Sequence, residues 1–373
     1  MKVLVDFTQI PIQKVGVGVY AKETFRIFEK DTDELYFLIQ DDDEDMKKTF
    51  SCFNVILVRS KFFRVFLFRF LLEQFYIPFL CWKYKIDVVH SLHYSFPLLL
   101  RKVKRIVTIH DLTFFIYPEV HTFIKRYYFK FFIKMACKYA DAIICVSEST
   151  LNDLKKYMKK IIASTKVIPL SCSSKIEVTE LEVKRKKRKF GINSSYILFI
   201  GTLEPRKNLL NLICAFNEFY KNNEDYVLVI VGKKGWFYKA IFKLIDELNL
   251  KSKVLFTGFV TSEEKFILLS GAHTFIYPSI YEGFGLPVLE AITYGIPTIT
   301  SHLSSLPEVA GDAAFYINPN DALDMARGLD IVSNDSTVRE KLRLNAEKQM
   351  LKFSWKYTAS LTYSTYKTVV ERR

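Results

Sequence analysis

Two successive α/β units, each a doubly wound parallel sheet covered by helices on both faces, are the architecture this sequence predicts. Three observations predict it. Short apolar strands alternate with helical stretches, and the alternation occurs twice along the chain. A polar stretch, 171–192, separates the two runs and ends in KRKKRK, Lys184 to Lys189. The length of 373 residues is enough for two domains of ordinary size with full cores.

In chain order, residues 2–7 (KVLVDF) read as a buried strand. Further strands are expected at 35–39, 53–58, 87–90, 105–109 and 141–146. The linker is placed at 171–192, its later part a short charged helix. A second set of strands is expected at 196–201, 226–231, 253–257, 273–277, 297–300 and 313–317. The last segment, 353–373, reads as a helix with Trp355 near its start. The halves are not a sequence repeat. The domains are thus set at 1–170, joined by the helix 353–373, and at 193–352.

Hydrophobic residues make up 50% of the chain and charged residues 25%, which excludes a disordered protein. The formal net charge is +14, from 54 Lys and Arg against 40 Asp and Glu, and it favours anionic partners. Six cysteines form no C-x-x-C pair and no metal-like spacing with histidine, so they read as reduced thiols of a cytoplasmic protein. MKVLVDF begins directly with a strand and predicts no signal peptide. No uncharged apolar run reaches the ~20 residues that span a bilayer.

The most informative stretch is YPSIYEGFGLPVLEAITYGIPTITSHLSSLPEVAGDAAFYINP, residues 277–319. Glu282 and Glu290 are eight residues apart, about two helical turns. They bracket Gly283-Phe284-Gly285-Leu286-Pro287, and Pro287 fits the first turn of a helix. Glu282 is therefore expected in the loop before that helix and Glu290 on its second turn. Turn glycines admit close backbone approach, and a helix start favours an anion. A ligand anionic at one end and rich in hydroxyls at the other, such as a nucleotide sugar, suits this arrangement. Spacing alone also fits a strand–loop–helix unit whose glutamates are merely solvated.

The whole segment, with Asp312 and Pro319, closely resembles the E-x7-E segment of family 4 (group 1) glycosyltransferases of the GT-B fold. That resemblance implies two Rossmann-like domains facing across a cleft, with the C-terminal helix returning to the first domain. It also implies roles for individual residues. Phe199-Ile200-Gly201-Thr202-Leu203-Glu204-Pro205-Arg206-Lys207-Asn208 is similar to the family's G-x-x-x-x-R-K-N segment. Arg206 and Lys207, two cations at a helix start, would neutralise the leaving diphosphate with no metal ion. Val231-Gly232-Lys233-Lys234-Gly235 and Gly258-Phe259-Val260 match the turns against which base and ribose lie. Backbone reading of the base leaves GDP and UDP both open. Glu290 is assigned to the ribose. Glu282 is assigned to the transferred sugar, with Gly283, Phe284, Gly285 and Leu286 lining sugar and phosphate. Removing the Glu282 carboxylate is expected to abolish transfer and leave the fold intact.

In the first half, TIHDLTFFIYPEV resembles the family's T-x-H-D-L segment, and His110 is expected at the reaction centre. A buried neutral imidazole there would hydrogen-bond a sugar hydroxyl or the developing charge. His90 and His93 (VVHSLHYSFP) lie at another strand end, where an acceptor would approach. His273 and His302 read as structural. Val15-Gly16-Val17-Gly18-Val19-Tyr20-Ala21 fits a loose G-x-G-x-x-A pattern, but residues 8–14 separate it from its strand, against a dinucleotide fingerprint. The resemblance instead places Gly16 and Gly18 opposite the donor pyrophosphate. Asp41-Asp42-Asp43-Glu44-Asp45 contains D-x-D, yet an acidic run after an apolar strand reads as a solvated loop, and no metal site is expected.

Two stretches, 61–85 and 121–138, interleave Phe, Tyr and Leu with Lys and Arg at helical spacing. This pattern fits a helix lying on an anionic membrane, or core aromatics with a solvated cationic rim. A helix similar to Arg69-Phe70-Leu71-Leu72-Glu73-Gln74 packs near the cleft in the family, and 121–138 is the better membrane candidate. No RNA-binding motif is present, and no nucleic acid partner is expected.

The function expected is retaining transfer of a hexose, mannose or a related sugar, from a nucleoside diphosphate sugar to a glycan or lipid-linked acceptor. It would serve surface polysaccharide synthesis from the cytoplasmic side of the membrane, with no cofactor. Alternatives are a GT-B nucleotide-sugar epimerase and a non-catalytic nucleotide-sugar-binding protein.

Overall fold

The computed structural model describes residues 1–28, 34–60, 66–100, 102–173, 175–236 and 238–372. Residues 61–65 of the first aromatic stretch lie outside the described residues. The chain divides into two compact units, Met1–Ser171 with Ser354–Arg373, and Cys172–Phe353.

In the first unit the strands are β1 (Lys2–Asp6), β2 (Glu34–Gln40), β3 (Asn54–Val58), β4 (Val88–Ser91), β5 (Lys104–Ile109), β6 (Ala142–Cys145) and β7 (Ser164–Val167). They pair in parallel in the order β3-β2-β1-β4-β5-β6-β7. Interior strands such as β1 and β6 bury nearly every side chain, as a sheet covered on both faces requires. The C-terminal helix, Trp355–Glu371, belongs to this unit. Its Tyr363 meets Phe28 with ring centroids 6.0 Å apart, and Thr358 donates to the carbonyl of Pro169.

In the second unit the strands are β8 (Ser195–Ile200), β9 (Tyr226–Val231), β10 (Val254–Gly258), β11 (Thr274–Tyr277), β12 (Thr298–Ser301) and β13 (Ala314–Ile317). Their order is β10-β9-β8-β11-β12-β13, again all parallel. This is the doubly wound order in which chain direction reverses once, between β8 and β11; the first sheet reverses between β1 and β4. Ligands of such sheets bind beyond the carboxyl ends of the strands at the reversal.

The charged helix expected in the linker is Glu180–Lys189, opened by a Thr179–Glu182 capping box. It packs on the second unit, where Lys186 and Lys189 both reach Glu264. β7 was not expected. It is a four-residue edge strand with only partial burial, and its STKV sequence lacks the apolar run that marks the others.

Glycines at the carboxyl edge of the second sheet hold the loops together. Gly232 has φ +152°, and a Cβ there would lie 1.9 Å from the carbonyl oxygen of Gly201. The loops after β8 and β9 thus touch backbone to backbone, and Leu203 and Lys234 form a bridge between them. Gly232→Ala is expected to cost roughly 2–3 kcal/mol from combined strain and overlap. Urea denaturation of the variant checks this; an unchanged midpoint refutes the close approach.

Candidate active site

At the β8/β11 reversal of the second unit four charged side chains form one buried cluster. Gly201 follows β8 directly, and a short 3-10 turn, Pro205–Lys207, comes after it. The turn is anchored by the Ile280 amide, which donates to the Arg206 carbonyl. Arg206 donates to Glu282 at 2.8 Å, to Glu204 at 2.6 Å and to the carbonyl of Tyr281 at 2.7 Å. Lys207 binds the other oxygen of Glu282 and the hydroxyl of Tyr277. Glu204, Lys207 and Glu282 are all buried. Burial alone would push the Glu282 carboxyl up; the Arg206 and Lys207 charges overcome it and hold its pKa at about 2. Burial and the Arg206 charge pull Lys207 down, and Glu282 and Glu204 oppose them.

The loop that carries Glu282 is fixed from below. Ser304 accepts from the Glu282 amide, and Ser305 donates to the carbonyls of Glu282 and Phe284. Gly283, Phe284 and Gly285 are buried, and Leu286 is half-buried. Gly285 caps the helix Leu286–Thr293 with φ +104°, a conformation that suits glycine. Glu290 lies on the second turn of that helix, buried, and pairs with Lys265 of the helix Ser262–Ser270. Phe259, just before that helix, is exposed, and Val260 beside it is buried.

In the first unit His110 follows β5. Its Nε2 lies 2.9 Å from the Leu92 carbonyl. A carbonyl only accepts, so the ring proton sits on Nε2 and Nδ1 presents a lone pair. Burial lowers its pKa, which favours the neutral ring. Gly16 (φ +51°) caps the helix Val17–Arg26, and Gly18 lies buried in its first turn.

The first unit and the second match two halves of one enzyme family. Residues 15–170 match Glycosyltransferase Family 4, and residues 182–349 match Glycosyl transferases group 1. The chain is 31% identical over 290 residues to the O-antigen chain mannosyltransferase B of Escherichia coli, covering 76% of this chain and 75% of that protein. It belongs to the family 4, group 1 glycosyltransferases. To the O-antigen chain mannosyltransferase RfbU of Salmonella typhimurium it is 32% identical over 238 residues, covering 63% of this chain and 61% of that protein. Among solved structures, Anabaena Alr3699/HepE in complex with UDP and glucose shares the fold with a TM-score of 0.79 at 15% identity, over 98% of this chain and 99% of that one. The enzyme is thus a glycosyltransferase of GT-B fold.

Two expectations need correction in this glycosyltransferase. His90 is not placed to meet an acceptor: it is fully buried within β4, and its two ring nitrogens face the hydroxyls of Tyr366 and Thr108 at 2.7 and 2.8 Å. It is a structural histidine that ties the C-terminal helix to the sheet. The acidic run is not simply solvated. Asp43 is buried, caps the helix Glu44–Thr49 and pairs with Lys14 in the loop before Gly16. His93 remains half-buried beyond β4. His273 and His302 bond main-chain carbonyls, those of Ser333 and Ile317. Among the described residues no group of three His, Cys, Asp or Glu side chains is placed to hold a metal ion.

Sequence reasoning missed Lys265, Ser304, Ser305 and Tyr277. Only Tyr277, a polar ring at a strand end, carried a visible signal. The burial of Glu282 also changes what its removal does. Glu282→Ala leaves Lys207 buried without its nearest carboxylate, so the fold loses stability, by roughly 3–5 kcal/mol.

Glu282 should give a characteristic pH dependence. Its folded pKa, about 2, lies below the ordinary 4.5, so its stabilisation is present above about pH 4.5 and is lost as pH falls towards 2. The full span is worth about 3 kcal/mol. In Glu282→Gln this contribution is absent, so stability should fall less steeply between pH 5 and 3 than in the parent. Chemical denaturation at several pH values checks it; equal slopes refute the coupling.

Proposed function

We propose that this glycosyltransferase moves a hexose, mannose or a related sugar, from a nucleoside diphosphate sugar to a hydroxyl of a glycan or lipid-linked acceptor in surface polysaccharide synthesis. The observation that carries the reading is the pair of half-buried Arg206 and buried Lys207, at the sheet reversal and held by carboxylates. A diphosphate offers oxygens that can take the place of those carboxylates, and charge-assisted bonds from a guanidinium and an ammonium suit it. The names of the relatives support mannose and a polysaccharide product.

In this reading Glu290, oriented by Lys265, takes the ribose hydroxyls, and the Gly258-Phe259-Val260 turn takes the base. Gly201 lets the phosphates approach the turn that bears Arg206 and Lys207, Gly232 lets the neighbouring loop pack against it, and Gly16 and Gly18, at the start of their own helix, are assigned to the pyrophosphate. Glu282, released from the cations, accepts hydroxyls of the transferred sugar, lined by Gly283 to Leu286. His110, with its lone pair on Nδ1, accepts a hydrogen bond from a sugar hydroxyl. Configuration is retained by attack on the face the diphosphate leaves, with the leaving phosphate oxygen taking the acceptor proton. Positive charge from Arg206 and Lys207 stabilises that oxygen, so the chain supplies by itself the electrostatic part of catalysis. No metal is required in this scheme.

The reading extends to the membrane. On the helix Phe123–Tyr139, Phe132, Ile133, Ala136 and Cys137 are buried, while Phe123, Ile124, Tyr127 and Phe131 are exposed. The first stretch exposes a second stripe, Phe75, Phe79 and Trp82, the last 78% exposed. Both stripes have cations nearby, Lys125 and Arg126 on one helix and Lys83 on the other. Each stretch therefore serves core and surface with opposite faces, and the exposed aromatics fit the acyl boundary of an anionic membrane. No helix among the described residues is long and apolar enough to cross a bilayer. The proposed location is the inner face of the cytoplasmic membrane.

Thermal shifts with GDP, UDP, ADP and their sugars test the donor site, since a ligand of the native state alone raises Tm. One nucleoside diphosphate should stabilise the enzyme, and Arg206→Ala should weaken it roughly 10- to 100-fold. Unchanged affinity removes the clamp, and strict loss of transfer in EDTA removes the metal-free scheme. Cosedimentation with phosphatidylglycerol vesicles should fall in Trp82→Ser and in Phe123→Ser; unchanged binding removes the membrane contact.

A further inference from the structure

Beneath the second cation of the donor site lies a buried side chain to which the chemistry above gives no role. Tyr277 ends β11, one of the two strands at the reversal, and is 1% exposed. Its ring stacks on Phe199 of β8, with centroids 5.8 Å apart and planes 19° apart. It also stacks on Phe275 of its own strand, at 6.0 Å and 15°. Thr300 of β12 donates to its carbonyl at 2.9 Å. The ring is therefore fixed by the sheet itself and not by a loop. From that frame its hydroxyl accepts a hydrogen bond from the ammonium of Lys207, which lies 4.9 Å from the ring centroid.

Lys207 sits on a single 3-10 turn, and a lysine stem is flexible, so the turn alone does not set where the ammonium points. An ammonium has three protons to donate and no lone pair. Two of those on Lys207 go to Glu282 Oε1 and to the Tyr277 hydroxyl, and the third has no acceptor among the described residues. Two fixed acceptors on a tetrahedral nitrogen leave the third N–H one direction. The two acceptors differ in kind. Glu282 is charged, and it is the partner that a diphosphate replaces in the donor reading. Tyr277 is neutral and held by its stacking partners, so it does not move with the ligand. Burial first, then the Glu282 charge, pushes its phenol well above the ordinary value, and it keeps its own proton.

We infer that Tyr277 is the positioning residue of Lys207: its hydroxyl stays bonded to the ammonium when the donor diphosphate takes the place of Glu282, and so aims the cation at the leaving phosphate. The inference rests on the donor reading given above. It has a second consequence. Burial, then the Arg206 charge, favours loss of the Lys207 proton, and Glu282 and Glu204 oppose that loss. An acceptor that stays in place adds to the side that keeps the proton on.

Tyr277→Phe tests this, because it removes one oxygen and keeps the ring that Phe199 and Phe275 hold. Calorimetric titration of the full chain with GDP and with UDP reads the effect. The parent should bind at least one of them, and Tyr277→Phe should weaken that binding about ten-fold near neutral pH. The pH profile is a second readout. Besides Tyr277, the charged groups around Lys207 are Arg206 and Glu204 beside it in the chain and Glu282 of the loop after β11. Affinity that needs the protonated lysine is lost as pH rises through its pKa, so the loss should begin at lower pH in Tyr277→Phe than in the parent. A cycle with Lys207→Met is the third. A residue that acts through Lys207 has nothing left to act on there, so adding Tyr277→Phe should cost no further affinity. Should Lys207→Met fail to fold, the affinity and pH profile of Tyr277→Phe decide alone. Unchanged affinity, an unchanged pH profile, or additive losses in the cycle each overturn the proposal and leave the donor reading standing. A parent that binds neither GDP nor UDP removes the donor reading, and the role of Tyr277 with it.

Discussion

Everything in the second unit's site depends on keeping two cations out of water without a fixed negative ligand. An isolated buried ammonium would lose its proton or unfold its surroundings. Glu282 and Glu204 remove that difficulty, one on each side of Arg206, with Lys207 on the remaining oxygen of Glu282. The four charges sum to zero. The cost of desolvation is met by short, charge-assisted bonds rather than by bulk solvent. In the proposed donor complex the exchange is one of partners, diphosphate oxygens taking the place of carboxylates on Arg206 and Lys207.

That exchange requires the loops to hold still, and they do so through the backbone. The amide of Gly201 donates to the Val231 carbonyl, and that of Gly232 to the Gly258 carbonyl. Three successive strand ends are thereby locked in series, and the turn that bears Arg206 and Lys207 is locked with them. Side chains at Gly232 or Gly285 would prise the layers apart, for the Cβ contacts there are 1.9 Å to backbone and 2.8 Å to Leu306. Ser304 and Ser305 do the same for the Glu282 loop from the far side. Catalytic groups placed on loops gain the precision of a sheet when the loops are hydrogen-bonded to one another in this way.

Much of this was legible in the sequence, for reasons that can be named. Strands buried on both faces write continuous apolar runs, so twelve of the thirteen strands were expected and the polar edge strand β7 was not. Pro287 and the glycines before it fixed where the Leu286–Thr293 helix begins, which in turn set Glu282 off the helix and Glu290 on it. What was not legible depends on contacts far apart in the chain. The structural fate of His90 is decided by Tyr366, 276 residues on, and the pairing of Glu290 by a lysine 25 residues away on another helix. Asp43 looked solvated because a run of acids usually is; its burial follows from Lys14, which no local pattern points to. The aromatic stretches were ambiguous because one helix carries both kinds of residue: on Phe123–Tyr139, Phe132 and Ile133 are buried while Phe123 and Tyr127 are exposed.

The two sheets share strand order and reversal, and the chemistry at the reversals diverges with the loops alone. Where the second unit follows β8 with a glycine and then two cations, the first ends β1 with Asp6 and then Thr8 and Gln9. Charge is tolerant of geometry and sets affinity, whereas hydroxyl recognition by fixed acceptors and donors is intolerant of it and sets specificity. Buried Glu73 accepts from Gln9, Arg69, Ser95 and Tyr128, and a carboxylate that binds four neighbours at once fixes their directions more firmly than any of them fixes its own.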